Sequence, residues 1–303
     1  MSKVTASRVS SFHILAAGYF AAFCAGFLAY RFTSPFVASP CGAFFIADVV
    51  ATIFVWASGL MYKNVSVYDP YWSVLPPVLL TAWAIHTGTF GLVGILLLIA
   101  IWYWAIRLTG NWACTFKNLD TEDWRYTKYR TEKNPFVFHI INFFGFNLMP
   151  TIVVFWAMLP AMDLLGGLYL AADNSSNTLV NVPYECNWLT IVGFLVCIAA
   201  VTIQLIADTQ LHRFAKAHKG EVCNVGLWKH GRHPNYFGEI SMWWGVWLMY
   251  ASVGKNGTPL WDLIGPVAMT CLFLFISIPL MEKRQLQNKP GYAEYKKHTR
   301  IFI

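Results

Sequence analysis

Apolar residues run along this chain in unbroken blocks rather than in the spaced stripes of a helix with one wet face, and such blocks recur from residue 12 to residue 281. A helix needs about 20 mostly apolar residues to cross the hydrocarbon core of a bilayer. On that criterion the pattern predicts eight spans, at about 12–31, 43–62, 71–87, 90–108, 136–160, 188–211, 237–253 and 260–281. Pro76 and Pro77 in the third and Pro150 in the fifth predict kinks or breaks, because proline lacks an N–H and its ring crowds the preceding turn. The first block, FHILAAGYFAAFCAGFLAY at 12–30, lacks a small-residue cleavage site and reads as an anchor helix rather than a removed signal peptide. The expected fold is an all-α, polytopic, integral membrane helical bundle.

Composition sharpens this picture. The 303 residues are 57% hydrophobic, 17% aromatic and 12% charged, with mean hydropathy +0.48. An ordinary soluble domain is about 25% charged, so this chain has too few charges to cover a globule in water. No Pro/Ser-rich linker, low-complexity tract or short repeat interrupts the blocks, so 1–303 reads as a single membrane domain with anchor spans over 1–62. Seven cysteines, at 24, 41, 114, 186, 197, 223 and 271, never fall within four residues of one another. That spacing excludes a CxxC zinc or redox site, and no metal is predicted. An odd number of cysteines, mostly inside apolar runs, reads as buried thiols rather than a disulfide frame.

The charged residues orient the bundle, since cytoplasmic loops collect Lys and Arg. Lys117, Arg125, Lys128, Arg130 and Lys133 fall in the connection 109–135; Arg213, Lys216, Lys219, Lys229 and Arg232 fall in 212–236; Lys283, Arg284, Lys289, Lys296, Lys297 and Arg300 fall in the tail. The connection 161–187 holds Asp163, Asp173 and Glu185 but no Lys or Arg, and is predicted to lie outside. Eight spans then put both termini in the cytoplasm, consistent with Lys3 and Arg8. The sequon Asn174-Ser175-Ser176 falls in the outer connection, where a glycan can be added in a secretory compartment. The net charge of +7 fits contact with anionic lipid or a phosphate-bearing ligand. Its short inter-span loops do not suit nucleic acid.

Four polar stretches break the apolar pattern on the inner face. GLWKHGRHPNYFGEIS at 226–241 places Lys229, His230, Arg232, His233, Asn235 and Glu239 just before an apolar run. Pro234 can start a helix, Asn235 and Glu239 then share a face, and Gly238 lets another backbone or a flat ligand come close. In IQLIADTQLHRFAK at 203–216, Gln204, Asp208 and His212 repeat every four residues as one polar stripe, with Arg232 or Arg213 as the expected cation for Asp208. The tail 279–302 offers Glu282, Arg284, Tyr292, Tyr295 and Arg300, a set able to bind phosphate and stack on a flat ring. In NVSVYDPYWSVLPP at 64–77, Asp69 precedes Pro70, so its carboxylate projects off the span end beside Tyr68, Tyr71 and Trp72. Each stretch has an ordinary alternative: a helix cap with snorkelling basic residues, a polar helix-packing network, a lipid-binding tail and an interfacial aromatic belt.

Together these stretches, LWKHGRHPNYFGE before a Trp-rich span, KPGY and YKKHT in the tail, and YDPYWSVLP, resemble the steroid 5-alpha-reductase-like membrane family, in particular its DUF1295-like branch. The likeness spans roughly residues 60–303, so 63–303 is expected to be a reductase-like core whose cofactor half covers about 200–303. RHP-x-Y-x-G alone also resembles membrane methyltransferases. What the resemblance implies is an NADPH-dependent reductase of an activated C=C bond. Asn235 and Glu239 match cofactor-holding residues, Asp208 matches an Asp on the preceding span, and Gln204 stands where the family has Asn. Arg213, Arg232, Tyr236, Tyr292 and Tyr295 join that candidate cofactor set, with Arg284 as the tail arginine. Asp69 stands seven residues before Pro76, where the family has a catalytic Glu, and Tyr103 lies near the family's catalytic Tyr.

Hydride addition to an enone leaves negative charge on the carbonyl oxygen, and a positioned donor stabilises it. Tyr68, Tyr71 or Tyr103, polarised by Asp69, is the expected donor, and an apolar bundle suits a steroid-like or other lipid substrate. The alternatives are a methyltransferase using S-adenosylmethionine and a non-enzymatic lipid-binding protein; no pair of broken spans suggests a transporter. Charge bias, sequon and resemblance point to the endoplasmic reticulum membrane, or the inner membrane of a bacterium.

Overall fold

A computed structural model of the chain describes residues 7–173, 176–253 and 260–303. Lys3, and Asn174 and Ser175 of the outer sequon, lie outside the described residues. Helices dominate: α1 Arg8–Thr33, α2 Pro40–Tyr62, α3 Tyr71–Thr87, α4 Leu92–Thr115, α5 Trp124–Glu132, α6 Pro135–Ile140, α7 Met149–Gly166, α8 Trp188–Ala217, α9 Pro234–Val253, α10 Ile264–Cys271, α11 Ile278–Asn288 and α12 Tyr292–His298. One departure is a hairpin of two antiparallel strands, β1 Leu168–Asp173 and β2 Ser176–Val182, within the connection read from sequence as a plain outer loop. Its LYLAAD and SNTLVNV segments carry the Tyr, Thr and Val residues that favour strands.

Among the described residues, six helical stretches are long and apolar enough to cross a membrane: Arg8–Thr33, Pro40–Tyr62, Leu92–Thr115, Pro135–Gly166, Trp188–Ala217 and Ile264–Asn288. They mark an integral membrane protein. The other two predicted spans form helices of lesser apolar length. α3 has 17 residues, and α9 opens with Asn235 and Glu239 and is rich in Trp.

Prolines shape the spans differently from the predicted breaks. α3 continues through Pro76 and Pro77. By contrast, Ile141–Leu148 and Leu272–Ser277 are π-helical, and Pro150 and Pro279 stand just beyond them. The carbonyl four residues before each proline, on Phe146 and Phe275, falls inside the widened turn. A π-type bulge relieves the clash between that carbonyl and the ring, so the helix continues instead of breaking.

Caps on the helix ends follow local sequence. Ser39 accepts from Gly42 N–H ahead of Pro40 at the first position of α2, and Asn187 forms a reciprocal cap with Thr190 at the start of α8. The cysteines are free, but only Cys197 and Cys223 are buried; Cys24, Cys114 and Cys271 are exposed. The expectation of mostly buried thiols is corrected: an apolar run in a membrane protein has an outer face turned to lipid, so membership of the run does not imply burial in protein.

The chain forms two compact units, Met1–Leu79 with Leu108–Phe155, and Leu80–Arg107 with Trp156–Ile303. In the first, Leu15, Tyr19 and Ala22 of α1 pack with Ala51 and Val55 of α2, Tyr71 and Leu75 of α3, and Phe116 and Leu119. The Tyr19 hydroxyl donates to the Val67 carbonyl at 2.6 Å. In the second, α8 and α9 lie unusually close. A Cβ on Gly193 would stand 2.7 Å from Met249 N, and one on Gly245 2.7 Å from Cys197 Sγ. Small residues at such a crossing let two membrane helices touch backbone to backbone.

Gly193→Val should therefore separate α8 from α9 and lower stability by about 1–3 kcal/mol or more, measured by thermal unfolding in detergent. Gly110→Ala, where nothing lies within 4 Å of the added carbon, should be neutral or slightly stabilising; equal losses in both would contradict this packing.

Candidate functional site

A buried ion pair organises the polar residues of the second unit. Arg107, on α4, bonds Asp208 on α8, and also donates to Gln204 Oε1 at 2.5 Å and to the Gln204 carbonyl at 3.2 Å. Asn235 at the start of α9 donates to the other Asp208 oxygen at 3.0 Å. One turn on, Glu239 is 3% exposed and accepts from the Trp104 indole at 2.9 and 3.0 Å and from Trp243 at 3.0 Å. The i, i+4 spacings of Gln204 with Asp208 and of Asn235 with Glu239 thus put both pairs on facing sides of α8 and α9. Gly238 is what allows this, since a Cβ there would meet Gln204 Cγ at 2.5 Å and the Ala200 carbonyl at 2.6 Å. The close approach predicted at Gly238 is made by the neighbouring helix.

Two donors inside this cluster have no acceptor: Gln204 Nε2 and Arg107 Nε. A buried unpaired donor costs about 1–3 kcal/mol, so this cluster is held at some expense.

The RHP stretch itself serves a different purpose. Arg232 and His233 are buried and reach Glu282 on α11 at 2.7 and 3.2 Å, with Lys296 on α12 also on Glu282 at 2.6 Å. Arg232 N–H and His233 N–H donate to the carbonyls of Arg300 and Ile301, and the Tyr295 hydroxyl donates to the Trp228 carbonyl. These bonds latch the tail onto the entry to α9. Burial pushes the His233 imidazole below its ordinary range, against the opposing pull of Glu282. Beside the latch lies a cavity of about 100 Å³ lined in part by Cys223, Arg232, His233, Asn235, Tyr236, Gln285, Lys289, Tyr292 and Tyr295.

In the first unit, Asp69 accepts from the Tyr126 hydroxyl at 2.5 Å and lies 3.7 Å from the Arg125 guanidinium. Burial raises its carboxyl to about 6, against the lowering influence of Arg125 and Tyr126. Burial also raises the Tyr126 hydroxyl, with the charge of Asp69 adding to it. The Tyr68 hydroxyl bonds Thr151 Oγ1 at 2.7 Å, and Tyr71 is wholly buried.

Several expectations change. The cation for Asp208 is Arg107, not Arg232, which is committed to Glu282, nor Arg213, which is exposed on α8. The tyrosine on Asp69 is Tyr126, not Tyr68 or Tyr71, because the loop before α5 brings Tyr126 back onto the end of α2 and α3. Tyr103 bonds Thr202 at 3.2 Å. Lys229 and His230 are exposed. Arg107 does carry a sequence signal, since a lone arginine inside an apolar span is rarely without a role. Trp104, Trp243 and Tyr126 carried none, since aromatic residues abound throughout the chain.

Comparison with known proteins fits this membrane architecture. The family described as "Protein of unknown function (DUF1295)" matches residues 55–299, and the chain belongs to that family. A Schizosaccharomyces pombe protein described as "Uncharacterized protein C594.04c" is similar at 22% identity over 295 residues, covering 88% of this chain and 78% of that protein. No solved structure matches.

Removing one partner of a buried pair leaves the other charge uncompensated. Arg107→Leu is expected to cost about 3–5 kcal/mol, and Arg107→Leu with Asp208→Leu should recover most of it. Thermal unfolding of the three proteins in detergent measures this, and an unaffected single variant would remove the pair from the folding argument.

Proposed function

We propose that the protein is an NADPH-dependent membrane reductase of an activated C=C bond in a lipophilic substrate, as its resemblance to the steroid 5-alpha-reductase-like family suggests. The observation that carries the proposal is the pair of acceptor-less buried donors, Gln204 Nε2 and Arg107 Nε, in a cluster whose Asn235 also lines the inner cavity. The donor set fits such a cofactor: Gln204, Arg107 and Asn235 offer N–H groups to an amide or hydroxyl, Lys289 and Arg284 offer charge to phosphate, and Tyr236, Tyr292 and Tyr295 offer flat faces. A cavity of about 100 Å³ has room for one ring or one phosphate rather than a whole dinucleotide. When bound, NADPH supplies hydride.

The chain's own residues divide the remaining work. Glu239, held by two indoles, fixes the α9 face on which Asn235 stands. In the first unit Asp69 and Tyr126 hold a proton on a short hydrogen bond, and with the Asp69 carboxyl near 6 the acid form is populated close to neutral pH. A donor of that kind can stabilise negative charge developing on an oxygen that meets it.

On the same proposal α3 and α9 are spans too, giving eight, with both termini and the Lys/Arg-rich connections in the cytoplasm and the protein in the endoplasmic reticulum membrane. The cofactor half then meets a soluble nucleotide while lipid delivers the substrate.

Thermal unfolding with added ligand tests the reading, because a ligand bound only by the folded state raises the melting temperature. NADPH should raise it; S-adenosylmethionine doing so instead would favour a methyltransferase, and no response to either would favour a lipid-binding role. Asn235→Ala and Glu239→Ala should each weaken NADPH by about tenfold, which corresponds to roughly 1.4 kcal/mol. Asp69→Asn should leave binding intact and reduce turnover.

The sign of the pH effect follows from the raised carboxyl. Folded Asp69 keeps its proton up to about 6 while the unfolded group loses it near 4, so its contribution to stability is complete below about 4 and is lost as pH rises through about 6. Turnover should fall over that same upper limb. A profile unchanged in Asp69→Asn would take this residue out of proton delivery.

A further inference from the structure

We infer that the cavity beside the tail latch is a site for a phosphoryl dianion, which bridges the tail to the entry of α9 and fastens the two together. The motif KPGY, Lys289 to Tyr292, builds its outer wall. Tyr292 N–H donates to the Lys289 carbonyl at 3.3 Å, and Gly291 between them has φ 81° and ψ −6°. With Pro290 ahead of the glycine this is a type II turn, whose third residue takes a left-handed backbone that glycine adopts without strain. The turn joins α11 to α12 and puts Lys289 and Tyr292 in the lining of the cavity, together with Arg232 from the entry to α9.

These three side chains keep donors to spare. Arg232 donates through Nε to Glu282 and through Nη1 to the carbonyls of Lys296 and Thr299; among the described residues no hydrogen bond uses its Nη2. Tyr292 is 5% exposed, and its hydroxyl bonds no described residue. Lys289 Nζ pairs with no carboxylate among the described residues. Burial holds that ammonium below its ordinary range and the nearby Arg284 adds to this, with the Cys223 thiol opposing them.

Charge is incomplete in the same place. Among the described residues no Asp or Glu lines the cavity. Glu282, the carboxylate of the latch, is already shared by Arg232, His233 and Lys296. The cations Arg232, Lys289 and Lys296 therefore stand against a single carboxylate. A dianion restores the balance, and the oxygens of a phosphoryl group can accept from a guanidinium, an ammonium and a phenol together. The cavity of about 100 Å³ has room for that group. Inorganic phosphate and the terminal phosphate of a larger ligand, nucleotide or lipid headgroup, present the same chemistry. Either one ties the KPGY turn to Arg232, whose backbone N–H already bonds the Arg300 carbonyl.

The site rests on the cavity that the reductase reading also uses, but it is tested without nucleotide, so either idea can fail while the other stands. Full-length protein in phosphatidylcholine nanodiscs would receive inorganic phosphate or, at equal ionic strength, chloride. Phosphate should raise the melting temperature and slow hydrogen exchange about tenfold at the Arg232 and His233 amides, which bond the tail carbonyls. Lys289→Met and Tyr292→Phe should each weaken phosphate about tenfold, the loss expected for one hydrogen bond to a charged group. Lys297→Met, which removes an exposed pair with Glu294, should not. Broadening of the phosphorus NMR resonance of phosphate by the wild-type protein, reversed by sulfate but not by chloride, is a readout that holds even if a variant does not fold. Displacement of that phosphate by NADPH, or by phosphatidic acid in the nanodisc, would tell a nucleotide source from a lipid one, and displacement by neither would name free phosphate as the ligand. Chloride acting as well as phosphate, or both cavity variants binding phosphate as the wild type does, would overturn the proposal.

Discussion

The burial of Arg107 against Asp208 is the constraint from which the polar interior of the second unit follows. A guanidinium at apolar depth needs its charge answered and its N–H groups accepted, and one carboxylate does not suffice. Gln204 supplies two further oxygens one turn earlier on α8, and Asn235 covers the remaining Asp208 oxygen. That arrangement needs α8 and α9 nearly in contact, which Gly193, Gly238 and Gly245 permit. Glu239 then accepts from the indoles of Trp104 and Trp243, which close the cluster.

Hydrogen bonding separates two kinds of polar residue that look alike in composition. Arg232, His233, Glu282 and Lys296 pair with one another, and Arg232 and His233 with the tail carbonyls, so they read as a latch. Gln204 Nε2 and Arg107 Nε are not saturated. Buried groups that the protein leaves without partners are those most improved by a ligand. The proposed roles follow that division.

Membrane helices here absorb their irregularities without losing continuity. Pro150 and Pro279 follow π-helical turns rather than breaks, since exposed backbone groups in hydrocarbon would cost more than a widened turn. Much of the same economy appears at the caps, where Ser39 and Asn187 meet the first unbonded N–H groups of their helices.

Sequence alone determined that this is a helical membrane protein, where most of its apolar helices run, and that Gln204 with Asp208, and Asn235 with Glu239, each share one helix face. Those conclusions rest on block length and on i, i+4 spacing, which are local properties of a helix. It did not determine which cation meets Asp208, which tyrosine meets Asp69, or that Arg232 and His233 hold the tail. Each of these depends on contacts between segments dozens of residues apart, 101 residues for Arg107 and Asp208 and 57 for Tyr126 and Asp69. Only the folded chain decides them, because a side chain's partner is fixed by the packing of whole helices and not by the residues beside it.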